Sequence, residues 1–204
     1  MSRIVISEKR EDVVAHRNQI AGLLLDFAPA QHVAWKTRPE ALAEVDESLT
    51  DDKPRISLVG LSDRNVVGWV AGFQTYTHAY EIHPIVVRAD MQRRGVGRRL
   101  LEAFEAAAAR CGATTVYLGS DDVKCATTLG GCDLFPGVLE KTQSIANLKG
   151  HPYEFYVRCG YEIVGVLPDV NGIGKPDIWL AKSLRTVKHA DRSTQAGKQQ
   201  HNET

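Results

Sequence analysis

Between Gln92 and Arg99 the chain sets Gly95 and Gly97 among Arg93, Arg94, Arg98 and Arg99. Positive charge around a backbone that lacks Cβ atoms is chemistry for holding an anion. The run Ile85-Val86-Val87 just before it is β-branched, as a buried strand prefers. A glycine turn that then opens a helix presents the helix's first amides, which have no intrahelical partner. The macrodipole makes that end positive. The simplest ligand for such a place is a phosphate. The spacing Gln92-x-x-Gly95-x-Gly97 is neither that of the nucleotide P-loop nor the dinucleotide G-x-G-x-x-G. The same residues also suit a glycine-rich turn with solvated arginines, and the stretch alone leaves both readings open.

The elements that must position this loop are legible in the periodicity. Ile4 to Ile6 suits a strand, and Asp12 to Phe27 a helix with Val13, Val14, Ile20, Leu23, Leu24 and Phe27 on one face. A loop is expected from Ala28 to Arg38, then an acidic helix from Pro39 to Leu49 with proline at its start. Strands are expected over Arg55–Leu61, Val66–Tyr76 and Tyr80–Val87. Pro84 cannot donate to a ladder, so the last of these must bulge or break there, or lie at an edge. A bulge would free a neighbouring amide such as that of Ile85. From Val96 to Cys111 the apolar stripe is helical, and Gly112 suits its end. Thr115–Gly119 completes a strand–helix–strand unit, which implies a parallel pair. A loop over Val123–Pro136, a helix over Gly137–Leu148 and a short helix over Tyr153–Cys159 follow. Tyr161–Leu167 and Asp177–Leu184 read as a final hairpin. Residues 1–185 are expected to form one domain, and 186–204 a polar, disordered tail.

Composition narrows the classes of function. In 204 residues, 25 basic and 25 acidic side chains cancel, so no global field favours nucleic acid or an anionic membrane. No apolar run approaches a membrane span, and the first residues lack the apolar stretch of a signal peptide. Cys111, Cys125, Cys132 and Cys159 show no C-x-x-C spacing and suit reduced thiols in a cytoplasmic protein. The seven histidines are scattered without metal-site spacing, so no metal is expected.

The Gln92-x-x-Gly95-x-Gly97 loop resembles the pyrophosphate loop of the GCN5-related N-acetyltransferases. Phe155-Tyr156-x-x-x-Gly160-Tyr161 resembles that family's later motif. Three further stretches resemble the aminoglycoside 6'-N-acetyltransferases: Glu81-Ile82-His83-Pro84-Ile85-Val86-Val87, Leu118-Gly119-Ser120-Asp121-Asp122, and His151-Pro152-Tyr153-Glu154-Phe155-Tyr156 with the residues onward to Trp179. The part before Glu81, which usually shapes substrate choice, matches weakly. The resemblance implies an α/β (α+β) fold: a mixed, mostly antiparallel sheet flanked by helices, with a parallel pair splayed to admit acetyl-CoA. It implies that the backbone of Gln92, Arg93, Arg94, Gly95, Val96, Gly97 and Arg98 holds the pyrophosphate. Ile85, Val86 and Val87 would pair with the pantetheine arm, and the Ile85 N–H would polarise the thioester carbonyl. It makes Tyr156 the proton donor to the departing sulfur and Glu81 the partner or base of the substrate amine. A homodimer is also implied. Lys124 departs from relatives that carry an acidic residue just past Asp121-Asp122.

Such chemistry makes sense of the residue types. A protonated amine must lose a proton before it attacks, and a carboxylate can take it. A polycationic aminoglycoside needs acidic partners, for which Glu81, Asp121 and Asp122 are candidates, with Asp26 or Asp133 behind them. Trp35, Tyr76 and Tyr80 could offer flat surfaces to sugar rings. Each residue also has an ordinary reading: Glu81 as a surface strand residue, Asp121-Asp122 as a loop cap, Tyr156 and Trp35 as core, His83 as structural. Two other functions stay open. One is acetylation of a different small amine or a protein lysine. The other is a non-catalytic module that senses acyl-CoA.

Overall fold

The structure, a computed structural model, describes residues 3–31 and 35–185. The expected tail, 186–204, lies outside the described residues, as do 32–34 of the expected loop. The elements in chain order are β1 (Ile4–Ser7), α1 (Arg10–Gln31), α2 (Arg38–Glu47), β2 (Arg55–Ser62), β3 (Asn65–Tyr76) and β4 (Ala79–Val87). A 3-10 turn at Ala89–Met91 then leads into α3 (Val96–Arg110), followed by β5 (Thr115–Asp121), α4 (Val138–Gln143), α5 (Tyr153–Arg158), β6 (Glu162–Leu167) and β7 (Asp177–Ser183). The strands form one mixed sheet in the order β1-β2-β3-β4-β5-β7-β6. Every neighbouring pair is antiparallel except β4 and β5, which are parallel.

Three expectations shift. The first helix runs on to Gln31, past Ala28 and Pro29 where a loop was expected. The helix expected over Gly137–Leu148 shrinks to Val138–Gln143. Ser144 turns its hydroxyl back onto the Lys141 carbonyl (3.1 Å), and Thr127 and Asn147 form a short antiparallel bridge instead. The strand expected to stop at Gly119 continues to Asp121, because Asp177 lies opposite in the register. The start of α2 is as expected, held by a capping box: the Thr37 N–H donates to Glu40 Oε2 (3.0 Å) and Thr37 Oγ1 accepts the Glu40 N–H (3.4 Å).

Each face of the sheet carries its own core. On one, the α3 side chains Leu100, Leu101, Phe104 and Ala108 bury against Tyr80, Ile82, Val116, Leu118, Ile178 and Leu180. On the other, α1 and α2 supply Val13, Ile20, Leu24, Ala41 and Val45, which meet Val59, Trp69 and Val86. A half-buried ion pair ties the first layer together: Lys182 Nζ donates to Glu105 Oε2 (2.6 Å) and to the Cys159 carbonyl (2.9 Å). Gly72 lets β3 and β4 close under α3. A Cβ there would overlap the Glu81 carbonyl and come within 2.6 Å of the Phe104 ring. Gly72→Ala is therefore expected to lower stability by about 3 kcal/mol, the upper range for overpacking a core. A lower urea midpoint with an unchanged slope would show it.

No helix among the described residues is long and apolar enough to cross a membrane.

Candidate active site

Pro84 does what its missing N–H demands. The β3–β4 register shifts between Val70 opposite Ile85 and Gly72 opposite Ile82, so the bulge falls at His83-Pro84. Beyond it, the Arg88 N–H donates to the Val67 carbonyl (3.0 Å). That bond sets the phase of the antiparallel ladder, in which bonded pairs alternate. Val86 bonds to β3, while the N–H and C=O groups of Ile85 and Val87 point the other way, toward β5. Yet β5 pairs with β4 only from Ala79–Thr115 to Glu81–Tyr117. Past Glu81 the two parallel strands part, and among the described residues no strand occupies the β5 side of Ile85 and Val87. The sheet thus contains an internal strand edge, with the Ile85 N–H facing a gap. Such an edge can accept an extended chain as an added strand.

The glycine loop lies at the far end of this edge. Gly95 has φ +82°, a left-handed conformation that favours glycine, and it is the N-cap of α3. A Cβ on Gly95 would meet nothing within 4 Å, so its open side faces space. The amides of Val96, Gly97 and Arg98 form the first turn of α3, while the Val96 side chain is buried. Gln92 reaches back, its Nε2 donating to the Val87 carbonyl (3.1 Å), and so fastens the loop to the end of β4. Gly97 has a different role from the one its neighbour suggests. A Cβ there would sit 3.0 Å from the Phe155 ring, so its bareness admits α5. The arginines divide as well. Arg98 Nη2 donates to the Arg158 carbonyl (2.7 Å) and Arg99 Nη2 to the Ile4 carbonyl (3.0 Å), whereas Arg93 and Arg94 are exposed.

With Phe155 on Gly97 and the Arg158 carbonyl on Arg98, α5 is fixed beside the start of α3. Tyr156, the next residue, packs its ring against Phe155 (5.1 Å between centroids) and Tyr161 (6.0 Å). Burial first, then the Cys159 thiol, push its hydroxyl well above the ordinary phenol value. It therefore keeps its proton and can act as a donor.

The opposite face of β4, β5 and β7 is acidic and aromatic. Tyr117 donates its hydroxyl to Glu81 Oε2 (3.0 Å). The Tyr117 ring stacks on Trp179 (5.7 Å, 24°), and Tyr76 lies at its other side (6.5 Å). Trp179 Nε1 donates to Asp177 Oδ2 (2.7 Å). Asp177 faces Asp121 across the strand pair, and Asn171 Nδ2 donates to Asp121 Oδ1 (2.5 Å). Burial is the main force that pushes the Asp177 carboxyl up to about 6. The Asp121 and Glu81 charges add to the rise, against the pull of the Trp179 and Ser120 N–H groups.

Not every expected substrate contact is on this face. Tyr76 is, at 68% exposed, and Asp121 is exposed at the far end of β5 on the same face as Tyr117. Tyr80 is 2% exposed and packs under α3, so it can offer no surface. Trp35 is 6% exposed; its indole belongs to the second core and donates to Glu44 Oε2 (2.9 Å), with one edge toward His83. Asp122 is also withdrawn. It is 1% exposed, and its carboxylate accepts the Ala126 N–H (2.6 Å), the Thr127 N–H (2.9 Å) and the Thr127 hydroxyl (2.7 Å). Strand parity explains the split within the pair: Asp121 turns out of the sheet, and Asp122 turns into the loop it organises. Asp133 similarly caps its own turn, accepting the Phe135 N–H (2.9 Å), while Asp26 is exposed on α1.

His151 is a buried fastener behind Asp121. Its Nδ1 accepts the Tyr153 N–H (3.2 Å), so Nε2 carries the proton and donates to the Asp121 carbonyl (3.2 Å). Burial lowers its pKa, consistent with a neutral ring. Among the described residues no cluster of His, Cys, Asp and Glu is placed to hold a metal.

Sequence reading missed Tyr117, Trp179, Asp177 and Glu44. Tyr117 and Asp121 share a parity in β5, as do Asp177 and Trp179 in β7, so the pairs were visible. Which face they shared with Glu81 was not.

The sequence model described as Acetyltransferase (GNAT) family matches residues 20–127. No curated protein matches the chain at a significant level. Among solved structures, an aminoglycoside 6'-N-acetyltransferase complexed with coenzyme A is similar at 36% identity and TM-score 0.80, covering 89% of this chain and 97% of that one. The aminoglycoside 6'-N-acetyltransferase from Enterococcus faecium is similar to the same degree: 36% identity, TM-score 0.80, 89% of this chain and 97% of that one. An aminoglycoside 6'-acetyltransferase type Ii is similar at 30% identity and TM-score 0.65, with 89% and 97% covered. With an open strand edge that leads to the glycine-opened start of α3 beside the half-buried Tyr156, and with these matches, the chain belongs to the GNAT acetyltransferase family.

Proposed function

We propose that this protein acetylates the 6'-amine of aminoglycosides from acetyl-CoA by direct transfer. The observation that carries the substrate is the acidic and aromatic face around Glu81, Tyr117, Trp179 and Asp121, set where β4 and β5 part. The likeness to aminoglycoside 6'-N-acetyltransferases supports the same reading.

The residues divide the work. The amides of Val96, Gly97 and Arg98, with Arg93 and Arg94 outside them, suit a diphosphate. Ile85 and Val87 offer strand hydrogen bonds to a pantetheine arm. Acetyl-CoA supplies the activated acetyl thioester. The Ile85 N–H is the donor for the negative charge that develops on its carbonyl, a role worth on the order of 3 kcal/mol where one such donor has been removed. Glu81, directly or through water, accepts the proton of the substrate ammonium, and Tyr156 returns one to the departing sulfur. Asp121 and Asp177 add negative field that draws a polycation to the cleft. Exposed Lys124, close in sequence to Asp121, favours a second reading in which the acceptor is another small amine.

Release of the coenzyme A thiol is the test, with aminoglycosides with and without a free 6'-amine, small polyamines and a lysine peptide as acceptors. Release confined to the 6'-amino compounds is the expected result. Release with other amines alone moves the protein to the second reading. Silence with every amine removes the enzyme reading and leaves an acyl-CoA-binding module.

A further inference from the structure

Asp177 is a carboxylate that ordinary folding would avoid. Its Oδ1 is buried without a hydrogen-bond partner. Its carboxylate occupies the space where any Cβ at residue 119 would stand, so Gly119 exists at that point to admit it. Its Oδ2 accepts the Trp179 indole N–H (2.7 Å). The same indole stacks on Tyr117 (5.7 Å), and the Tyr117 hydroxyl donates to Glu81 (3.0 Å). A chain of four side chains on three strands thus runs from a half-buried carboxylate to the candidate base.

We propose that Asp177 is a positioning residue of the acceptor site: through Trp179 and Tyr117 it fixes Glu81, and its ionisation governs how well a cationic acceptor binds. This rests on the acetyltransferase reading above. The Trp179 N–H bond is charge-assisted when Asp177 is ionised and weaker when it is neutral. The groups that face Asp177 are Asp121 and the Ser120 amide from β5, Glu81 from β4, and Trp179 from its own strand. Leu167, its partner on β6, adds no charge. Burial, with the charges of the two neighbouring carboxylates added to it, holds part of the Asp177 population protonated near pH 6, and an ammonium brought among the three carboxylates displaces that proton to solvent. Acceptor affinity therefore rises with pH through this region.

The experiment is steady-state thiol release with tobramycin between pH 5 and 8, comparing wild type, Asp177→Asn and Trp179→Phe. Wild type should show a several-fold rise in the tobramycin KM as pH falls from 7 to 5. Asp177→Asn should raise that KM about tenfold at pH 8, flatten its pH dependence and leave the acetyl-CoA KM within twofold. Trp179→Phe should reproduce the KM defect. An Asp177→Asn enzyme with an unchanged tobramycin KM and an unchanged pH profile overturns the proposal. Fluorescence separates this from failure of the substrate reading. The emission of wild type minus that of Trp179→Phe isolates Trp179 and should titrate near pH 6, and this readout needs no turnover. If no amine is acetylated but Trp179 titrates, the enzyme reading falls and the Asp177–Trp179 coupling stands. A Trp179 signal that is flat from pH 5 to 8 overturns the coupling whatever the activity. Should Asp177→Asn not fold, Trp179→Phe carries the KM test and the wild-type titration the pH test.

Discussion

Replacing Tyr156 by phenylalanine should lower kcat about 100-fold, the lower part of the range for losing a positioned general acid. Coenzyme A affinity should stay within twofold. The two effects separate because Tyr156 stands on α5, while the amides proposed to hold the diphosphate stand on α3. Phe155, which touches Gly97, is untouched by the change. The ring of Tyr156 also stays, so its packing on Phe155 and Tyr161 is kept. Burial keeps the hydroxyl protonated over the whole working range, so the loss should be similar at pH 6 and pH 8. Steady-state kinetics and calorimetric titration with coenzyme A measure both halves. A fall in kcat below threefold would pass the acid role to another group, and a matching loss of coenzyme A affinity would make Tyr156 a packing residue.

Asp122→Ala should destabilise the fold by about 3 kcal/mol, since hydrogen bonds to a buried charged group are worth roughly 1.5–3 kcal/mol and their abandoned donors carry a further penalty. The two amides and the hydroxyl it serves, those of Ala126 and Thr127, lie in a buried turn. Gly130 packs against the same carboxylate, so the turn would lose its centre. A lower urea midpoint with coenzyme A binding retained below the transition is the expected pattern. A midpoint unchanged, with the acceptor KM raised, would instead return Asp122 to the substrate.

The elements around these two residues also mark where sequence reading succeeds and where it stops. The short helix that carries Tyr156 could be found because its apolar residues and the following Gly160 are local features, whereas the role of Tyr156 came only with the family resemblance. The bulge at His83-Pro84 could be found because proline forbids a ladder bond wherever it stands. The glycine-opened start of α3 followed from glycine and helix periodicity. Asp121 and Asp122 could not be separated in the same way. Their fates depend on how far β5 extends, and that depends on β7, more than fifty residues later in the chain. Gly97 misled for a similar reason. Its missing Cβ is a local fact, but the neighbour that needs the space, Phe155, is distant in sequence. Trp35 and Tyr80 show that an aromatic's type says nothing about which of two cores will take it.

The two cores share a sheet but almost no side chains, because alternate residues of each strand serve opposite sides. Under the proposed function the acyl donor is handled on the side of α3 and α5, and the acceptor face around Glu81 and Tyr117 lies on the other side of the sheet, the side that carries α1 and α2. Substitutions in α1 and α2 can therefore remodel what is acetylated without repacking what delivers the acetyl group. A protein built in this manner can change its clientele while its supply line stays the same.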